Sequence, residues 1–193
     1  MLGEEQWRWL ESELRRPAEL RLLFTSVQVL AVGHGWERWG NVPSEVSRLF
    51  SLIRSTGASG VVLVSGDRHQ AGVYAADAGD GGAHPSPFGS PPYTLHELTS
   101  SSLTHSHRSD DDGFTEPDVA RIGSLLHQNN FGTVAIDWAR RTVTLDIRTS
   151  DECGLSAQPW DAECEGEPGA RANEVLASLT LQIDQLSASS AQI

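Results

Sequence analysis

The stretch Gly60-Val61-Val62-Leu63-Val64-Ser65-Gly66-Asp67-Arg68-His69 decides how this chain is read. The run from Val61 to Val64 is too short for a helix, and its β-branched residues favour a strand. It is continuously apolar rather than alternating, as a strand buried on both faces is. Upstream, Leu20 to Leu30 forms a longer apolar run, read as a second buried strand. Between them Val46, Leu49, Phe50 and Ile53 recur at helical spacing, from Pro43 at a first helical position to Gly57 at the end. Strand, helix and strand in this order make a βαβ crossover, so the two strands are parallel neighbours. Chemistry in open α/β sheets collects at the carboxyl ends of the strands. The Asp67 loop and the loop from His34 to Asn41 both lie there.

The remaining chain divides by pattern. Trp7, Leu10 and Leu14 share one helical face, and Pro17 ends that helix. Asp77 to Pro92, rich in glycine and proline, reads as a surface loop, and Tyr93 to Thr99 as a strand. Val119 to Leu126 reads as a short helix. Phe131 to Trp138 and Thr142 to Arg148 read as a hairpin turning at Ala139-Arg140-Arg141. Val143, Leu145 and Ile147 alternate with polar residues, so one face is buried and one wet. Asp151 to Glu174 reads as an acidic loop. Leu179, Leu181 and Ile183 alternate again as a last strand.

Composition narrows the partners. With 14 basic and 26 acidic residues the formal net charge is −12, and every basic residue is arginine. Such a surface repels a phosphate backbone, so nucleic-acid binding is disfavoured. A phosphate substrate stays open, because a metal or local cation reverses the field within one cleft. The 193 residues suffice for one domain. No run reaches the ~20 apolar residues of a membrane span, and Met1 to Glu5 lacks the basic and apolar regions of a signal peptide. Cys153 and Cys164, the two cysteines, sit in a polar segment and read equally as a pair or as separate thiols.

Asp67 and His69 lie two positions apart on a turn, where a hard oxygen and an imidazole nitrogen can face one ion; the mixture suits zinc, iron or manganese. The competing reading is a hydrogen-bonded turn. Gly66 allows close backbone approach, and Arg68 offers a forked donor for a phosphoryl oxygen. His34 is a candidate proton donor to a leaving alkoxide near neutral pH, with Trp36 and Trp39 as an apolar wall. Against this, the tryptophans simply cover the sheet and His34 caps the loop. Gln28 reads equally as a ligand or a core amide. His105 and His107 read as solvated loop residues. Asp110 to Asp112 have the charge of a calcium loop without its spacing.

Several stretches, taken in order, resemble the PhoD-like alkaline phosphatase and phosphodiesterase family, a branch of the calcineurin-like metallophosphoesterases. They are Leu2 to Leu10, Ser26 to Leu30, His34 to Asn41, Val64 to His69, Glu97 to Ser101 and Asn130 to Trp138. The resemblance implies an α/β (α+β) chain forming the C-terminal half of a four-layer α/β/β/α sandwich. Residues 1–148 are then the C-terminal part of the catalytic domain, and residues 149–193 an acidic loop and final strand of the same domain. It implies hydrolysis of phosphate monoesters or diesters by divalent or trivalent metal ions (calcium, iron, manganese or zinc). Asp67 and His69 become metal ligands, His34 and Arg68 catalytic contacts, Asn41 and Trp39 substrate contacts. The family is commonly exported.

The resemblance also has a gap. The family's earlier motifs, which carry further metal-binding aspartates and an asparagine, precede what Leu2-Gly3 corresponds to. The expected partners are therefore a missing N-terminal half or a second copy, and the chain alone is expected to be inactive. The alternative is a non-catalytic remnant serving as a structural or interaction module; a third is a hydrolase of another class on the same fold.

Overall fold

The structure, a computed structural model, describes residues 1–79, 81–107, 116–150 and 173–188. Helix α1 (Glu4–Leu14) buries Trp7, Leu10 and Leu14, the three positions that share one face. Strand β1 (Arg21–Phe24) follows, and a 3-10 turn at Trp39–Asn41 leads into α2 (Pro43–Thr56). Helix α2 has Pro43 in its first turn and buries Val46, Leu49, Phe50 and Ile53. It ends at Gly57, whose φ of 67° is left-handed, with the Ala58 N–H reaching back to the Ile53 carbonyl. Then come β2 (Val61–Ser65), β3 (Ala71–Ala76), β4 (Leu95–Ser100) and β5 (Arg121–Leu126). β6 (Asn130–Asp137), β7 (Thr142–Thr149) and β8 (Val175–Gln182) complete the chain, with a last 3-10 turn at Ile183–Gln185.

The first sheet has the order β1-β2-β4-β3-β5. β1 pairs parallel with β2, and β2 parallel with β4, while β3 and β5 add antiparallel. The crossover through α2 thus joins parallel neighbours, as the sequence implies. The second sheet, β6-β7-β8, is antiparallel throughout. The two sheets meet where β4 lies over β6: a Cβ built on Gly132 would stand 3.0 Å from Leu98 Cδ2. Val61, Val62 and Leu63 are 0% exposed, so both faces of β2 are covered. The inward row of β7, Val143, Leu145 and Ile147, is equally buried. The fold is mixed α/β. Among the described residues no helix is long and apolar enough to cross a membrane.

The structure corrects the sequence reading at three elements. The run from Leu20 to Leu30 is a strand only at Arg21–Phe24; beyond it the chain leaves the sheet, yet Gln28 to Ala31 remain buried. Val119 to Leu126 contains strand β5 rather than a helix. Its pairing with β3 shifts register between Ala71 and Val73, and Gly123 takes a φ of 75°, so the strand's alternation is broken and mimics helical spacing. β3 escapes sequence reading because Ala71-Gly72-Val73-Tyr74-Ala75-Ala76 has little β-propensity. Its position between β4 and β5, with every residue buried, makes it a strand. The cysteines and the Asp110–Asp112 run lie outside the described residues.

Candidate functional site at the carboxyl ends of the parallel strands

β2 and β4 end side by side, with Ser65 opposite Thr99, so the turn 66–69 abuts the segment 101–107. Asp67 and His69 both have positive φ, 73° and 52°. Each such residue costs about 1 kcal/mol or more outside glycine, so the surroundings must hold the turn. Gly66 is not the reason for its shape: a Cβ there would meet Ser101 Cβ at 3.5 Å, an ordinary contact.

Three contacts hold it instead. The His69 N–H donates to Ser101 Oγ at 2.7 Å. The His69 carbonyl accepts from Ser106 Oγ at 3.1 Å and from the His107 N–H at 2.8 Å. Between the two left-handed residues, Arg68 turns inward to an ion pair with Glu116, whose side chain is 0% exposed, and donates to Gln70 Oε1 at 3.2 Å. With Arg68 drawn into the interior, Asp67 and His69 stay on the exposed side of the turn. Arg68, expected as a phosphoryl contact, is instead a buried anchor.

His69 has imidazole neighbours. Its ring centroid lies 5.4 Å from that of His105 and 5.3 Å from that of His107, and those two are 6.2 Å apart. His105 and His107 are exposed, as expected, but they stand over the turn rather than in open solvent. Their approach depends on the hydrogen bonds that the Ser106 hydroxyl and the His107 N–H donate to the His69 carbonyl, which have no local sequence signature.

The loop after β1 lies beneath the turn. The Val29 and Leu30 amides donate to the Glu97 carboxylate, at 3.0 and 2.6 Å, and those of Val32 and Gly33 to Asp118 Oδ2, at 2.9 and 2.8 Å. Backbone donors satisfied by side chains need no neighbouring strand, which is why this apolar run is a buried loop. Gln28 proves to be a core amide: its Nε2 donates to Thr99 Oγ1 at 2.9 Å, and its Oε1 lies 2.9 Å from His34 Nε2.

His34 is buried, and its Nδ1 accepts the Trp36 N–H at 3.2 Å, so Nε2 carries the proton shared with Gln28. Burial, with smaller contributions from Arg68 and Arg38, pushes its pKa down to about 4. This corrects the expectation of a proton donor working near neutrality. Trp39 is 5% exposed, edge-on to Trp7 with centroids 6.1 Å apart, and donates to Thr25 Oγ1; it belongs to the core. Trp36 is 59% exposed, and its carbonyl accepts from Asn41 Nδ2 at 3.0 Å.

The depressed pKa of His34 carries a pH dependence. Its folded pKa lies below the unfolded value near 6.5, so its contribution is complete above that value and is lost as pH falls from 6.5 towards 4. Between pH 7 and 4.5 the loss is about 2 kcal/mol. Urea unfolding at the two pH values should show a drop in unfolding free energy smaller by that amount in His34→Gln. An unchanged drop would contradict the neutral, buried imidazole.

Metal fit is mixed. A carboxylate and an imidazole are suitable donors, but an ion takes three or four protein ligands in tetrahedral sites. Among the described residues no group of three or more His, Cys, Asp or Glu is set to hold an ion as the side chains stand. The depressions of 450 Å³ beside His96 and 730 Å³ beside Trp138 lie at the opposite, amino ends of the strands.

Comparison with known proteins agrees with the geometry. The family described as PhoD-like phosphatase matches residues 1–147. A solved structure described as "Structure of PhoD" superposes with a TM-score of 0.66 at 19% identity, covering 96% of this chain and 34% of that one. The chain therefore spans about a third of the length of that structure. No curated protein matches. The fold at 19% identity and the family match over residues 1–147 lead to one assignment: this chain belongs to the PhoD-like phosphatase family.

Proposed function

We propose that this chain provides one wall of a phosphoester-hydrolysing site, acting on phosphate monoesters or diesters, with Asp67 and His69 as metal ligands. The observation that carries the reading is the Asp67–His69 turn, left-handed at both residues and fixed by Arg68–Glu116 at the carboxyl ends of two parallel strands. A family of metal-dependent enzymes supports it. A bound calcium, iron, manganese or zinc ion would supply Lewis-acid chemistry.

Placement supports the roles. On this reading Asp67 and His69, on the exposed side of the turn, face the ligand. Arg68 and His34 act from beneath, one holding the turn, the other joining the Gln28–Thr99 network to the loop. Trp39 sets that loop against α1, and Asn41 braces it at the exposed Trp36. Further metal ligands come from a polypeptide completing the fold, either a PhoD-like portion or a second copy. β1 is an edge strand, and Phe24 at its end is 70% exposed, which offers that polypeptide a place to pair.

The test is hydrolysis of nitrophenyl phosphate and bis(nitrophenyl) phosphate by the protein joined to a completing PhoD-like portion. Asp67→Ala and His69→Ala should each lower turnover by about 100-fold or more, with loss of bound metal. The chain alone should show no turnover. Full activity and metal content in either variant would refute the ligand role. The second reading, a non-catalytic module, is favoured by the lack of a preformed three-donor set among the described residues and would be upheld by an inactive completed protein.

A further inference from the structure

We infer that the 450 Å³ cavity between the start of β4 and the end of β8 is a binding site for a small uncharged sugar or polyol, recognised by the imidazole of His96. It lies at the opposite end of the strands from Asp67 and His69, so it stands apart from the preceding reading.

Strand alternation puts His96 in the layer between the two sheets. His96, Leu98 and Ser100 share one face of β4. A Cβ on Gly132 of β6 would stand 3.0 Å from Leu98 Cδ2 and 3.3 Å from Ser100 Cβ, so that face is turned to the second sheet. The sheets touch at those two residues. At His96, nearer the start of the strand, they part, and Leu181, Gln182 and Leu186 bound the gap from the other side. Such a position in a two-sheet packing ordinarily takes an apolar side chain.

The imidazole there has no protein partner. Its Nδ1 is shut off from solvent without a hydrogen bond, whereas Nε2, equally unbonded among the described residues, is not shut off. Burial holds the pKa down at about 4, against a smaller upward pull from Asp77, so the ring is neutral at pH 7. A buried N–H without a partner is rarer than a buried acceptor without one, so the proton belongs on Nε2. His96 thus presents one donor to the cavity.

The lining selects the ligand class. It holds no acidic or basic side chain that is charged at neutral pH, although the whole chain carries −12. An ionised ligand would lose water there without meeting a counter-charge. The polar groups are the His96 imidazole, the Thr94 hydroxyl and the Gln182 amide, set among Leu181, Leu186 and Ala78. Thr94 Oγ1 donates to Asp77 Oδ1 at 3.2 Å and so is left to accept. A donor, an acceptor and an amide offering both, on an aliphatic floor, match hydroxyls carried on a hydrocarbon ring or chain.

The test is a titration of glucose into the isotopically labelled full chain, followed by NMR of the amide and imidazole resonances. Saturable shifts are expected at Thr94, His96 and Gln182, and none at Asp67 and His69. Glucuronate, which adds a carboxylate, should bind about tenfold more weakly or worse. His96→Leu should weaken glucose by about tenfold. Leucine suits a position between sheets and removes the unpaired Nδ1, and near-ultraviolet circular dichroism confirms that the variant is folded. Gln182→Ala, at an exposed position that carries no folding risk, should weaken glucose by about threefold. Absence of saturable shifts, glucuronate binding as tightly as glucose, or a folded His96→Leu that binds glucose like the parent overturns the inference.

Discussion

Glu97→Ala is expected to cost about 3–5 kcal/mol of stability, a large share of the roughly 5–15 kcal/mol that holds an ordinary domain folded. Glu97 is 0% exposed in β4 and receives the Val29 and Leu30 amides. Burial pushes its carboxyl upward in pKa, while hydrogen bonds from Ser65 and from those amides oppose the shift. Alanine removes the acceptor and leaves two amides in a site closed to water, while the Gln28–Ala31 loop loses its tether. Glu97→Gln keeps one oxygen and should lose roughly half as much. Urea unfolding of the three proteins measures this. A loss below about 1 kcal/mol for alanine would mean that the loop is held by other means.

Glu116→Ala should have a comparable effect for a different reason. It leaves the Arg68 guanidinium buried without its carboxylate, which costs about 3–5 kcal/mol when a buried pair is broken on one side. The consequence reaches the candidate site, because Arg68 anchors the turn between two residues in left-handed conformation. Amide exchange at Asp67 and His69 should accelerate in this variant more than at Val62 in the sheet centre. Replacing both partners, Arg68→Met with Glu116→Leu, should recover much of the stability, since an apolar pair avoids desolvation. It should not recover the slow exchange of the turn. Uniform acceleration across β2 would instead assign the pair a general stabilising role.

Much of the fold is set by periodicity. The faces of α1 and α2, the parallel β1–β2 crossover and the β6–β7 hairpin are all fixed by local spacing and by Pro43 and Gly57. The parts that escape are set by partners distant in sequence. The apolar run through Val29 and Leu30 becomes a loop because Glu97 and Asp118 take its amides. An acidic residue in the middle of the strand Leu95–Ser100 is the local signal for that. β3, poor in β-formers, is a strand by position alone.

The site divides in the same way. The placement of Asp67 and His69 at a strand end could be read from the apolar run Val61–Val64 and the Ser65-Gly66 step that closes it. The inward turn of Arg68 could not, because Glu116 is 48 residues away. Nor could the approach of His105 and His107, which depends on a carbonyl of the turn. The polar, aromatic sequence around His34 reads as a titrating loop, whereas its burial comes from a network running through Gln28 and Thr99.

The central claim, that Asp67 and His69 present themselves to one metal ion, is tested most directly by paramagnetic broadening. Manganese added to the isotopically labelled chain at a small fraction of one equivalent should selectively erase the resonances of Asp67 and His69 and of their neighbours near Ser101. If broadening instead falls on the exposed acidic start of α1, at Glu4 and Glu5, the ion is answering only the negative charge of the surface.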